Sequence, residues 1–150
     1  MAKTVPLSKF AEELKAYSEK NIAEYRKAVI LALTDAIPRL VEKSPVDTGL
    51  YAQSWNLDVS EQAAILGNYS PHAPIIEFGA RPFTPPLAPL LAWAKRVLKK
   101  AEVDDDCWAL AKYTQMKIAD NGMMPKFILT NEIEFIMNDI RDNLKNGMVK

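Results

Sequence analysis

Tyr51-Ala-Gln-Ser-Trp-Asn-Leu-Asp-Val59, Ser60-Glu-Gln62 and Ala63-Ala-Ile-Leu-Gly67 are the stretch that separates a mixed fold from an all-helical one. Tyr51, Trp55, Leu57 and Val59 share one face at a period of two, and Ala52, Ser54, Asn56 and Asp58 share the other, with Gln53 interrupting the alternation. That pattern predicts a half-buried strand. Ala63 to Gly67 predicts a second short strand. The three residues between them predict a hairpin, although the glycine that such loops favour is missing.

On the N-terminal side, Phe10, Leu14, Tyr17, Tyr25, Val29, Leu33, Ile37 and Leu40 recur at helical spacing with charges between them. They predict one long amphipathic helix from Ser8 to about Lys43. Ser8 is the expected N-cap, with Glu12 and Glu13 in the first turns where the helix dipole favours acids. Pro38 predicts a kink or break just before it, since an unperturbed helix through proline costs on the order of 3 kcal/mol. A helix this long is expected to outrun its own core and meet another subunit. Ser44-Pro-Val-Asp-Thr-Gly49, a cluster of turn formers, ends it.

On the C-terminal side, residues 68 to 90 hold six of the ten prolines, at 71, 74, 82, 85, 86 and 89. Each removes a donor and fixes φ, so neither a central strand nor a continuous helix is expected. Ile75, Ile76, Phe78 and Phe83 lie among them, which predicts an ordered loop that docks these side chains, with Gly79 as the turning point.

Leu87 to Lys100 then repeats as a helix that absorbs Pro89 in its first turn. Asp104-Asp-Asp106 opens a helix reaching Asp120 or Asn121, with Gly122 as its C′ residue. Met123 to Phe127 reads as an extended connection. Asn131 and Glu134 predict a capping box ahead of Ile133, Ile136, Met137, Ile140 and Leu144, the apolar face of a last helix that frays over residues 146–150. The expectation is a single α+β domain over residues 1–150, a small antiparallel sheet packed by helices.

Nineteen basic residues balance nineteen acidic ones, which argues against binding that works by neutralising phosphates. One cysteine, Cys107, rules out an internal disulfide. No apolar run suits a membrane span and Met1 to Lys9 carries no signal core, so a soluble product made in a cytoplasm is expected.

Catalytic chemistry would begin from His72, the only histidine, with Glu77 nearby and Asp47 elsewhere. No nucleophile motif accompanies them, and a loop histidine is the plainer reading. Asp104, Asp105 and Asp106 diverge in direction and lack a ligand pattern, so helix capping accounts for them better than a hard cation. Cys107 has no partner at ligand spacing and reads as a small core residue. Lys95, Arg96, Lys99 and Lys100 could touch phosphates, although such a run is usually a solvated face. Trp93 and Trp108 read as core, although each is large enough to anchor an interface if exposed. No Gly-rich phosphate loop or zinc pattern is present. Neither an enzyme nor a cofactor is expected.

Three residue groups, in order, resemble a known family. Pro45-Val-Asp-Thr-Gly-Leu50 followed by Ser54-Trp55 resembles the turn-then-strand signature of the small neck or tail-completion proteins of long-tailed bacteriophages, a lambdoid gene-ten-product-like family. Asn68-Tyr69 through Ala73, then Ile76-Glu-Phe-Gly79, is similar to its turn leading into an Ile-Glu-Phe-Gly segment. Gly122 to Phe127 resembles its Gly-x-Pro-x-Phe-Leu ending before an amphipathic helix, with Met123 and Met124 here before Pro125 and Ile128 after Phe127. The likeness spans roughly Lys43 to Leu144. It departs at His72, where a small residue or Tyr is usual, and the Leu87 to Gly122 portion matches the longer branch of the family.

The resemblance implies a structural virion part, made in the bacterial host cytoplasm and built into the neck as a homo-oligomeric ring, six-fold by expectation, with no membrane partner. It would join the head connector or adaptor to the tail tube protein in a tail-completion role. The alternatives are a head-closure stopper or minor tail component, then a nucleic-acid-binding accessory protein or a small hydrolase; passing contact with DNA is a further option. Asp47, Thr48, Gly49, Glu77 and Gly79 are expected to shape turns, Glu77 by binding backbone amides or an arginine such as Arg81. Ile76, Phe78, Arg81, Phe83 and Pro85 are the expected assembly contacts.

Overall fold

The structure, a computed structural model, describes the backbone of residues 7–148 and the side chains of residues 11–147. It is an α+β fold, mostly helical, with one two-stranded antiparallel sheet. In chain order the elements are α1 (Leu7–Lys43), α2 (Leu50–Gln53), β1 (Trp55–Val59), β2 (Ala64–Asn68), α3 (Ala73–Phe78), α4 (Leu87–Val97), α5 (Asp105–Asn121), a 3-10 turn (Thr130–Glu132) and α6 (Ile133–Met148). The chain groups into two compact units. The first holds α1 up to Ile37, the hairpin tip from Leu57 to Leu66, and α6; the second holds Pro38–Asn56 and Gly67–Glu132.

In the first unit, Ala28, Ala32 and Ala36 form a buried strip at four-residue steps along α1. Ile136 and Ile140 of α6 are buried likewise, and Asn143 Nδ2 donates to Ala28 O at 3.3 Å, tying α6 alongside α1. Small side chains on one helix let a second approach closely. The helix α6 runs to Met148, and residues 149 and 150 lie outside the described part. Asn131 sits inside the 3-10 turn rather than one residue ahead of α6, so the expected capping box does not frame that helix. Ser8 lies within α1, not before it, and its side chain is outside the described residues.

The hairpin tip closes without glycine because Ser60 does its work. Ser60 N donates to Ala63 O at 2.8 Å, and Ala63 N donates back to Ser60 Oγ at 3.1 Å. Arg26 of α1 donates to the carbonyls of Ser60 and Glu61, pinning that tip.

In the second unit, α1 continues through Pro38, so of the expected kink or break the break does not occur. The turn beyond the proline is anchored by its own side chains. Leu40 is fully buried, and Arg39 and Lys43 both pair with the buried carboxylate of Glu132. Such anchoring offsets the hydrogen bond that proline forfeits.

Tyr51 to Ser54 corrects the strand reading, since α2 is a helical turn and β1 begins only at Trp55. Gly49, at φ 80°, reverses the chain, and Gln53 N then donates to Gly49 O at 3.0 Å. The i, i+4 spacing sets Tyr51 edge-to-face on Trp55, ring centroids 5.7 Å apart and planes at 85°. Such a pair is worth about 0.5–1.5 kcal/mol beyond its burial. Trp55 Nε1 in turn donates to Ser44 Oγ at 2.9 Å.

Within residues 68 to 90 a six-residue helix, α3, forms where only loop was expected. Pro74 falls in its first turn, where a missing amide costs nothing. The helices α4 and α5 pack on each other over Ala94, Cys107 and Ala111, with Leu87, Leu90, Leu91, Trp93 and Leu110 around them. Pro89 is absorbed as expected. Yet α4 stops at Val97, three residues early, because Lys99 takes φ 53° and closes the helix with bonds from Lys99 N to Arg96 O and Lys100 N to Lys95 O. This is the Schellman arrangement, with lysine in the place that usually holds glycine.

Candidate functional site

The site residues expected from sequence all fall in the second unit, and Glu77 is the most heavily bonded of them. This residue follows the apolar pair Ile75-Ile76 at the end of α3 and is only 8% exposed. Its Oε1 accepts from Thr130 N at 2.8 Å and Thr130 Oγ1 at 2.7 Å, while Oε2 accepts from Leu129 N at 3.1 Å. Burial pushes its pKa up, but the bonds from Thr130, Leu129 and Ile128 outweigh that, and the net shift is downward from the usual value. Glu77 is thus a charged clasp that stays ionised while shut inside the protein.

The backbone around it extends the clasp. Lys126 N donates to Ile76 O at 2.9 Å and Phe127 N to Glu77 O at 3.2 Å. Ala80 and Met123 then bridge as an antiparallel pair, each N–H to the other's carbonyl at 2.9 Å. Two glycines make this approach possible. A Cβ on Gly79 would lie 2.3 Å from Met123 O, and one on Gly122 would lie 2.1 Å from Ala80 O, with φ 75° and 71° respectively. Phe127 also adopts a left-handed backbone, φ 49°, held between its bond to Glu77 O and the bond from Asn131 N to its own carbonyl. A phenylalanine there is strained and persists because the surrounding bonds over-determine it.

A second buried carboxylate, Glu132, is fully enclosed and shared by Arg39, 3.0 Å from Nε, and Lys43. Burial again raises its pKa, and the two cations more than reverse this. Asp47 meets Arg96 in a two-pronged pair at 2.7 and 2.6 Å, which lowers its pKa chiefly through the Arg96 hydrogen bonds. Thr48 Oγ1 accepts from Leu50 N at 3.4 Å, and with Gly49 completes the turn into α2.

Of the expected turn residues, Asp47, Thr48 and Gly49 lie in the bend that leads into α2 and Gly79 directly follows α3, whereas Glu77 lies within α3 itself. Glu77 binds backbone amides rather than Arg81, which is exposed. Among the expected contact residues, Phe78 is 69% exposed, Phe83 is also exposed, and Ile76 is half-buried. Pro85 is buried and its carbonyl accepts from Gln115 Nε2 at 2.8 Å, so it is not available to a neighbour. Sequence reasoning missed Met124, 86% exposed beside the clasp, and Phe127, also exposed. The two methionines before Pro125 were the available signal.

His72 is exposed at the start of α3, and Glu77 has its oxygens turned to amides and a hydroxyl, so the two do not form an acid–base pair. In the basic run, Arg96 is committed to Asp47, and Lys100 pairs with Asp104 and Asp106 at 2.7 and 2.9 Å. Asp104 also caps α5 by accepting from Cys107 N at 3.0 Å; Lys100 and this bond pull its pKa down to about 2. Trp93 belongs to the α4–α5 core, whereas Trp108 is 44% exposed, against the core reading.

Among the described residues no group of three or more His, Cys, Asp or Glu side chains could hold a metal ion, and no helix is long and apolar enough to cross a membrane. No protein-family model, curated protein or solved structure matches this chain.

Proposed function

We propose that this chain is a structural virion protein of a tailed bacteriophage, a subunit of the neck ring that joins the head connector to the tail in a tail-completion role. The observation that carries the reading is the clasp. Two of the three sequence groups behind the resemblance, Ile76 to Gly79 and Gly122 to Phe127, are bonded to each other by Lys126 N to Ile76 O and Phe127 N to Glu77 O, and the Ala80–Met123 bridge and the bonds from Leu129 and Thr130 to the Glu77 carboxylate flank that junction. Both groups bear exposed apolar side chains, Phe78, Met124 and Phe127. A rigid junction carrying such side chains suits a part whose work is to present a fixed surface to neighbours. The exposed Asp47–Arg96 pair links the remaining group, the Asp-Thr-Gly turn, to α4.

The test is composition. Purified phage particles should contain the protein in a small, fixed copy number with the neck and tail. Its absence from purified particles would overturn the proposal.

A further inference from the structure

Residues 12 to 27 of α1 have a symmetry that their fold, apart from the bonds of Arg26 to the hairpin tip, does not use. Counted inward from both ends, Glu12 is level with Lys27, Glu13 with Arg26, Lys15 with Glu24 and Glu19 with Lys20. Between these charged pairs, Leu14 is level with Tyr25 and Tyr17 with Ile22. The remaining pairs are Ala16 with Ala23 and Ser18 with Asn21. Every acid meets a base and every large apolar residue meets another. The segment is the complement of its own reversal.

Most of this segment is uncovered, Asn21 and Glu24 being half-buried. Residues 11 to 20 are all exposed, and Leu14, Tyr17, Ile22 and Tyr25 are 57, 66, 66 and 54% exposed. Leu14, Tyr17, Asn21 and Tyr25 step by three and four along one stripe, which continues into the buried strip of Ala28, Ala32 and Ala36. One end of the stripe is thus covered by the chain's own packing and the other is bare. Lys15–Glu19 and Lys20–Glu24, both at 3.9 Å, are exposed pairs of the kind that contribute little by themselves.

We infer that two copies of this chain associate through residues 12 to 27 of α1, antiparallel about a two-fold axis. The axis passes between Glu19 and Lys20, and the paired segment is about 23 Å long at 1.5 Å per residue. The contact is isologous, each pair occurring twice, and the apolar stripe of each copy covers that of the other. A parallel pairing in register sets like charge against like at every charged level, so charge selects the antiparallel arrangement. A contact of this length is small and its strength depends on concentration. The pairing stands apart from the proposed neck role, since a closed two-fold contact is different from the heterologous contact that closes a ring.

The experiment is sedimentation equilibrium on the full chain, combined with cysteine cross-linking. The wild type should show a concentration-dependent dimer. Glu12→Lys with Glu13→Lys, both exposed, should raise the dissociation constant about tenfold or more, with the helical circular-dichroism signal unchanged. Leu14→Cys mixed with Tyr25→Cys should form a disulfide-linked dimer under mild oxidation, whereas Leu14→Cys alone should not, because its two copies lie about 16 Å apart along the axis. Cys107 is fully buried and does not compete. A chain that stays monomeric at all concentrations, an oligomer indifferent to the charge reversal, or efficient cross-linking of Leu14→Cys to itself would each overturn the inference.

Discussion

Glu77 and Thr130 are joined twice through one carboxylate oxygen, which accepts both the backbone amide at 2.8 Å and the hydroxyl at 2.7 Å of the same residue, 53 positions away in sequence. Glu77→Gln keeps the shape but replaces one acceptor with a donor facing amide donors. The expected loss is about 2–3 kcal/mol of unfolding free energy by chemical denaturation, with an unchanged native spectrum. Thr130→Ser should keep the hydroxyl bond and stay close to wild type.

Acid should weaken the fold through the same group and Glu132. Both have folded pKa values below their ordinary 4.5, so both contribute stability that is fully present above the unfolded pKa and is lost as pH falls through the folded one. Denaturation midpoints should be flat near neutrality and drop below about pH 4.5. Glu77→Gln should start lower and show a shallower acid slope than the wild type. An equal slope would contradict the assignment.

Gly79→Ala and Gly122→Ala should each be severely destabilising. The added carbon would lie within 2.3 Å of a backbone oxygen, at positive φ, with no flexible side chain to give way. Poor soluble yield, or a melting transition lowered by more than that of Gly67→Ala, is the expected result; a Cβ on Gly67 meets nothing within 4 Å.

Lys99→Gly should do the opposite. Lysine occupies a left-handed position that closes α4, and glycine relieves about 1 kcal/mol of strain there. The thermal midpoint should rise modestly.

Much of this fold is readable in the sequence, and the parts that are not have physical reasons. Periodicity found α1, α4, α5 and α6 because each buries one face, and Asp104 and Gly122 marked their helix ends by side-chain chemistry. Strand alternation misled at Tyr51 because a helical turn also brings Tyr51 over Trp55, so two periods shared the same anchors. The end of α4 was hidden because lysine stands where glycine would signal it, and Pro38 suggested a break that buried Leu40 and Glu132 prevent. Glu77 was legible as a turn residue, but not its partner, since a contact across 53 residues leaves no local pattern. Pro85 failed as a surface residue for the same reason, its carbonyl being satisfied by distant Gln115.

The neck assignment is tested most directly by electron microscopy of particles produced without this protein, restored in parallel with the wild type and with Phe78→Asp. The account predicts DNA-filled heads and separate tails in the absence of the protein and with Phe78→Asp, and joined particles with the wild type. Intact, infectious particles made without it would contradict the account.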